Sequence, residues 1–80
     1  MTMFAIDVEL DVKGLNCPMP LLKSKKALAA MQAGQVLRVV STDKGSVNDF
    51  AAFCRQTGHE LLQQTSSDHE HVFVIRRKAA

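Results

Sequence analysis

The sequence predicts an α/β two-layer sandwich with the element order β-α-β-α-β-β, in which a four-stranded mixed sheet carries two helices on one face. Two observations carry this prediction. Short apolar or alternating segments, typical of strands, are separated by two longer segments of helical period, and glycine or turn-forming residues bound most of them. A chain of 80 residues with 46% hydrophobic and 22% charged residues is also compatible with one folded domain, which we place at residues 1–80.

The first strand and the first helix are joined by a proline-rich turn. Apolar side chains alternate with acidic ones from Ile6 to Val12, which is typical of a half-buried strand, and Lys13-Gly14 ends it. A helical segment follows and runs to about Gln32, where we expect Gly34 to act as the C-terminal cap. Its predicted buried face comprises Leu21, Ser24, Ala27, Leu28 and Met31.

The second strand and the second helix follow the same plan. Val36 to Thr42 is apolar and rich in β-branched residues, which predicts a central strand that ends in the turn Asp43-Lys44-Gly45. The Ser-x-x-Asp pattern from Ser46 to Asp49 is typical of a capping box that opens a helix, and Gly58 ends that helix.

The last two strands are predicted to form a hairpin. They span Glu60 to Thr65 and about His71 to Arg77, with Ser66-Ser67-Asp68 as the turn. Crossover connections between parallel strands are right-handed, so both helices are expected on one face of the sheet. The antiparallel hairpin makes the sheet mixed.

Cys17 is the main candidate for chemistry. Pro18 and Pro20 fix the backbone around it and start the first helix, so Cys17 is expected on a stiff, exposed turn. Amide groups of Met19 and Leu21 could donate to a sulfur anion there, as helix N-termini do. Because a helix N-terminus lowers a cysteine pKa, we expect the pKa of Cys17 to be lowered.

The segment Gly14-Leu15-Asn16-Cys17-Pro18-Met19-Pro20 resembles the Cys-Pro-x-Pro signature of the TusA/SirA-like family of small sulfur carrier proteins. The resemblance extends from Ile6 to Lys78 and includes Asp43 and Phe53-Cys54. It implies the same β-α-β-α-β-β sandwich and a sulfurtransferase-type relay, in which Cys17 carries sulfane sulfur as a transient persulfide without another cofactor.

The resemblance also implies partners. The sulfur donor would be a cysteine desulfurase or a rhodanese-like protein, and an acceptor protein would take the sulfur onward. The family serves tRNA 2-thiolation, molybdenum-cofactor enzymes and sulfur oxidation. Met19 stands where members of the tRNA branch often have Glu, so the pathway stays open.

Other reactive side chains are weaker candidates. Cys54 lies on the apolar stripe of the second helix and is predicted to be structural, with a resolving thiol for Cys17 as the alternative. His69 and His71 share a strand face but lack a third ligand, so we expect no metal site. Basic residues could dock acidic partner surfaces if they lie on the Cys17 side, namely Lys23, Lys25, Lys26, Arg76 and Arg77.

Composition limits the remaining possibilities. The net charge is +2, the residues from Met1 to Leu10 do not form a signal peptide, and no segment approaches the length of a membrane span. We therefore expect a cytoplasmic monomer that binds no membrane and no nucleic acid stably. The alternative is a non-catalytic protein-interaction or RNA-binding module of the same fold. An aromatic content of 5%, without Trp or Tyr, disfavours a base-stacking RNA platform.

Overall fold

A computed structural model describes residues 5–79, so residues 1–4 and 80 of the predicted domain lie outside the described part. The strands are β1 (Val8–Val12), β2 (Val36–Ser41), β3 (Glu60–Ser67) and β4 (Glu70–Arg76). The helices are α1 (Met19–Ala30), between β1 and β2, and α2 (Ser46–Thr57), between β2 and β3. The predicted element order is confirmed.

The sheet is mixed, as predicted. Its strand order is β1-β2-β4-β3, with β1 parallel to β2 and both other pairings antiparallel. Side chains alternate between the two faces of a strand. The core side chains of β1, β2 and β4 lie on one face, where they meet both helices in a single hydrophobic cluster. The stacked rings of Phe50 and Phe73, with centroids 4.4 Å apart, join α2 to β4 at the centre of this cluster.

The predicted buried face of α1 is confirmed. Ser24, Leu28 and Met31 are buried, and Leu21 and Ala27 pack against the core. The Ser24 hydroxyl is accommodated because it donates to the Pro20 carbonyl at 2.8 Å.

The predicted C-terminal cap of α1 is wrong. The helix ends at Ala30 and Met31 is its cap, with an extended backbone and an N–H that donates to the Leu28 carbonyl. Gly34 has φ +86° and lies in the turn that follows, where its N–H donates to the Arg77 carbonyl at 2.9 Å. The glycine therefore serves the connection into β2, which requires a left-handed backbone there.

The predicted capping box of α2 is also wrong. The cap residue is Gly45, and the structure gives it no side-chain hydrogen bond. The Ser46 hydroxyl is buried and lies 2.7 Å from the Ser41 hydroxyl, so it fixes the helix start to the end of β2. The Asp49 side chain is thereby available for a contact outside its own helix.

The β3–β4 turn is tighter than predicted. Ser66 and Ser67 pair with His71 and Glu70 within the ladder, which leaves Asp68 and His69 as the turn. Serine favours turns because its hydroxyl can bond to nearby backbone. Here the Ser66 hydroxyl instead contacts the His71 ring across the ladder at 2.8 Å.

Parallel pairing of β1 and β2 decides where the connecting loops meet. Val12 is in register with Ser41, so the loops after both strands leave the same edge of the sheet. The Gly14 N–H donates to the Thr42 hydroxyl at 2.9 Å and ties the two loops together. Ligand and reaction sites in α/β folds concentrate at such edges.

Candidate functional site

Cys17 is exposed in the loop between β1 and α1, at the edge where β1 and β2 end. The Met19 N–H donates to the Asn16 carbonyl at 2.9 Å and closes a four-residue turn around the cysteine. The peptide bond between Cys17 and Pro18 is cis. The sulfur is thus presented at the surface on a hydrogen-bonded turn, as the sequence predicts.

Asp43 fixes the backbone of this turn. Its carboxylate accepts the Cys17 N–H at 3.0 Å, and it also accepts the Gly45 N–H at 3.4 Å. The Asp43 N–H in turn donates to the Ser41 hydroxyl at 3.1 Å. The position of Cys17 is therefore coupled to the end of β2 and to the loop before α2.

Asp49 contacts the sulfur itself. The Cys17 thiol donates to a carboxylate oxygen of Asp49, in the first turn of α2, across 3.2 Å. This hydrogen bond is the main cause that raises the pKa of Cys17 above its ordinary value; partial loss of hydration and the charges of Asp49 and Asp43 act in the same direction. The predicted lowering of the Cys17 pKa is wrong. Two carboxylates near the sulfur act against the predicted effect of the helix start, because both disfavour a thiolate.

The predicted amide cradle for a sulfur anion is only partly present. The Met19 N–H is engaged with Asn16, and the Leu22 N–H donates to the Pro18 carbonyl at 3.0 Å. Within residues 5–79, the Leu21 N–H makes no hydrogen bond, so it is the amide that could still receive one. The Leu21 side chain packs against the core and holds this part of α1 in place.

The two prolines have different surroundings. Pro18 is exposed and forms the N-terminal cap position of α1, whereas Pro20 is fully buried in the first turn. Pro20 therefore contributes to the packing of α1 on the sheet as well as to its start. Pro18 is not part of the core, so it can affect how Cys17 is presented without affecting the packing of the helix.

Exposed apolar side chains follow Cys17 in the chain. Met19 is 41% exposed and Leu22 is 47% exposed, and these are the large hydrophobic side chains left on the surface of the described residues. Sequence reasoning named Leu22 only as a possible further amide donor; the exposure of its side chain was not predicted, because an exposed leucine on a helix has no signal in the hydrophobic pattern alone.

The predicted docking residues fall into two separate groups. Lys23, Lys25 and Lys26 are exposed on α1, and the Lys25 ammonium lies 5.7 Å from the centre of the Phe53 ring. Arg76 pairs with Glu60 at 2.7 Å, and the Arg77 guanidinium donates to the Leu28 carbonyl at 2.8 Å, in the last turn of α1. Cys17 precedes the first turn of that helix, which spans about 18 Å. Arg76 and Arg77 therefore lie far from Cys17, at the opposite end of α1.

The remaining candidates do not join this site. Cys54 is buried, and burial raises its pKa to about 11, which fits a structural thiol. His71 contacts the Ser66 hydroxyl, and His69 lies in the hairpin turn. Within residues 5–79, no three His, Cys, Asp or Glu side chains are grouped to hold a metal ion.

Sequence reasoning missed the role of Asp49. The Ser-x-x-Asp pattern supplied a local explanation for it, and no local signal shows that its carboxylate reaches a residue 32 positions earlier. Asp43 was named as part of the family resemblance, but without a role, and its place beside Cys17 could have been predicted. It follows the end of a strand that runs parallel to β1, so its loop had to meet the Cys17 loop.

Comparison with known proteins identifies the family. Residues 8–77 match the family described as sulfurtransferase TusA. The sulfur carrier protein TusA of Allochromatium vinosum is 52% identical over 71 residues, which cover 89% of this chain and 93% of that protein. The protein of the same name from Pseudomonas putida is 40% identical over 79 residues, or 99% of each chain.

A solved structure has a similar fold. The SirA-like protein of Desulfitobacterium hafniense superposes with a TM-score of 0.77 at 25% identity, over 89% of this chain and 97% of that one. The fold, the exposed cysteine with its flanking prolines and the match over nearly the whole chain lead to one conclusion: this chain belongs to the TusA family of sulfurtransferases.

Proposed function

We propose that this protein is a sulfur carrier that holds sulfane sulfur as a persulfide on Cys17 and passes it to an acceptor protein. The observation that carries the proposal is the exposure of the Cys17 sulfur on a hydrogen-bonded turn at the edge of the sheet. The chain also belongs to a family whose named relatives are sulfur carriers. An exposed thiol is what a relay needs, because two different proteins must reach the same sulfur.

The relay consists of two thiol exchanges. In the first, the Cys17 sulfur attacks the outer sulfur of a donor persulfide, and the donor thiol leaves with the proton that Cys17 gives up. In the second, an acceptor thiolate attacks the outer sulfur, and Cys17 leaves as a thiolate that is protonated again. Both steps follow thiol–disulfide exchange, in which the thiolate is the attacking species. No oxidant is consumed, because the sulfane sulfur only changes its thiol partner.

The geometry favours a protonated thiol in the free carrier. The Asp49 carboxylate raises the pKa of Cys17, so little thiolate forms at neutral pH away from a partner. A thiolate of higher pKa is intrinsically more nucleophilic once it forms. A partner that shields Cys17 from Asp49, or that brings a positive charge, would therefore release its reactivity.

The partners follow from this chemistry. A cysteine desulfurase or a rhodanese-like protein would supply the sulfur, and tRNA 2-thiolation, molybdenum-cofactor enzymes or sulfur oxidation would consume it. The exposed Met19 and Leu22 provide apolar contact area in the first turn of α1, which follows Cys17 in the chain, and Lys23, Lys25 and Lys26 add positive charge along α1. We place the carrier in the cytoplasm as a monomer. In the part of the chain described, neither helix is long and apolar enough to cross a membrane.

The alternative of an RNA-binding module finds less support. RNA-binding sheets stack bases on exposed aromatic rings. The three phenylalanines within residues 5–79, Phe50, Phe53 and Phe73, are all buried. Phe4 lies outside the described residues.

Intact-mass measurement after incubation with a cysteine desulfurase and cysteine tests the proposal. The protein should gain the mass of one sulfur atom, and reduction should remove it. Cys17→Ser should abolish the gain, and Cys54→Ala, the matched control, should retain it because Cys54 is buried. The proposal fails if Cys17→Ser still gains the sulfur, or if neither this donor nor a rhodanese-like donor loads the protein.

A further inference from the structure

The contact between Cys17 and Asp49 has different energetic consequences for the two states of a carrier. In the unloaded state, the thiol has a proton that it donates to the Asp49 carboxylate across 3.2 Å. A hydropersulfide is a stronger acid than the corresponding thiol, so the loaded cysteine is largely anionic at neutral pH. The hydrogen bond is then lost, and a negative sulfur lies next to a negative carboxylate.

We infer that Asp49 is a positioning residue that biases Cys17 toward its unloaded form, so that the equilibrium of sulfur transfer favours the acceptor. This inference rests on the proposed function. Asp49 neither attacks nor leaves in the exchange; it acts through Cys17, by stabilising the thiol and repelling the persulfide anion. A carrier needs this property, because a persulfide that is too stable would retain the sulfur.

The charges around the sulfur all disfavour the anionic persulfide. The acidic groups that act on the Cys17 thiol are Asp49, from α2, and Asp43, from the loop after β2. Asp43 accepts the Cys17 backbone N–H, so its carboxylate is held near the sulfur in both states. Within the described residues, no salt bridge neutralises either carboxylate. Because Cys17 is exposed, water screens these interactions, and the effect should be several-fold rather than many orders of magnitude.

The bias can be measured as the equilibrium of sulfur exchange with a small donor. Glutathione hydropersulfide and the Cys17 thiol give the Cys17 persulfide and glutathione. The bond between the two donor sulfurs breaks, and a bond forms between the Cys17 sulfur and the outer sulfur. The electron pair of the broken bond stays on the glutathione sulfur, which takes up a proton. The equilibrium constant follows from the loaded fraction at known ratios of the two glutathione species.

The experiment compares the unaltered protein with Asp49→Asn, Asp49→Ser and Asp49→Glu at neutral pH, with intact mass as the readout. Asp49→Asn and Asp49→Ser remove the charge, and each should shift the equilibrium toward the loaded form by about threefold to tenfold. Asp49→Glu keeps a carboxylate and should stay closer to the unaltered protein. Glu60→Gln is the control for net charge, because Glu60 pairs with Arg76 far from Cys17, and it should leave the equilibrium unchanged.

A second readout separates this role from a structural one. The midpoint of Cys17 alkylation against pH should fall in Asp49→Asn and stay raised in Asp49→Glu, whereas simple loosening of the fold would lower it in both variants. The inference is overturned if the charge-removing variants load no more than the unaltered protein. It is also overturned if Glu60→Gln shifts the equilibrium equally. Failure of the unaltered protein to load Cys17 at all would instead contradict the proposed function.

Discussion

At the scale of single residues, the reactivity of Cys17 depends on two carboxylates that approach it from another part of the chain. Asp43 accepts its backbone N–H at 3.0 Å, and Asp49 accepts its thiol proton at 3.2 Å. The proline-flanked cysteine could be predicted from sequence because its pattern is local. The direction of its pKa shift could not, because the contact with Asp49 depends on how α2 packs beside the Cys17 loop.

The first residue-scale prediction concerns the ionisation of Cys17. Because both carboxylates disfavour a thiolate, the alkylation rate should rise with pH to a midpoint above that of free cysteine, about 8.5. Iodoacetamide alkylation followed by mass spectrometry measures it, with buried Cys54 as the slow internal reference. A midpoint below the free value would show that the helix start outweighs the carboxylates.

The second residue-scale prediction concerns Cys54. Burial raises the pKa of the Cys54 thiol to about 11 in the folded protein, whereas the pKa of a cysteine in an unfolded chain is about 8.5. Between these values the unfolded chain has lost the proton and the folded protein keeps it. This contribution to stability is therefore complete below about pH 8.5 and is lost as the pH rises toward the folded value.

Urea unfolding from pH 7 to 10 tests this prediction. The free energy of unfolding should fall more steeply with pH in the unaltered protein than in Cys54→Ala, which lacks the ionising group. Equal slopes for the two proteins would mean that the Cys54 thiol ionises as easily in the folded state as in the unfolded one.

At the scale of elements, the two prolines at the start of α1 have different roles. Pro18 is exposed next to Cys17, and Pro20 is buried against the core. The sequence predicted the helix and its buried face from periodicity, but it did not distinguish the prolines, because both satisfy the rules for a helix start.

The two caps predicted at Gly34 and Ser46 were wrong for a related reason. Tertiary contacts with Arg77 and Ser41 take the groups that local rules assign to capping.

The element-scale prediction compares Pro18→Ala with Pro20→Ala. Pro20→Ala removes buried methylene groups and should lower the free energy of unfolding by about 2 kcal/mol. Pro18→Ala should cost about 1 kcal/mol or less, and Cys17 alkylation should be unchanged. Its effect should appear in sulfur transfer with a protein partner, because a looser turn presents the sulfur in more orientations.

Urea unfolding, iodoacetamide alkylation and desulfurase-dependent loading on the same preparations measure these effects. Unchanged loading of Pro18→Ala would show that Pro18 only starts the helix. A large loss of stability in Pro18→Ala would place it in the packing of the domain.

At the scale of the whole molecule, the parallel pairing of β1 and β2 creates the site by bringing two distant loops to one edge. The element order and the mixed sheet could be predicted, because hydrophobic period and crossover handedness leave few arrangements. The distribution of charge over the surface could not be predicted from the sequence. Arg76 and Arg77 are near Cys17 in neither sequence nor space, and only the packing of β4 places Arg77 at the far end of α1.

The prediction at this scale concerns partner docking. If the lysines of α1 steer an acidic partner, Lys23→Glu combined with Lys26→Glu should slow desulfurase-dependent loading, most strongly at low salt. Loading by glutathione hydropersulfide should not slow, because it needs no protein surface. Arg76→Gln removes a positive charge at the far end of the sheet and should load normally. Equal slowing by both variants would exclude specific docking on α1.

The central claim is that Cys17 both receives and releases sulfur. A chase experiment tests it most directly: the protein is loaded with isotopically labelled sulfur, freed of donor and mixed with an excess of a thiol acceptor. Peptide mass mapping should find the label on the peptide that contains Cys17 before the chase. After the chase, the label should be on the acceptor, with Cys17 again a free thiol. Label that stays on Cys17, or that maps to Cys54, would contradict the account.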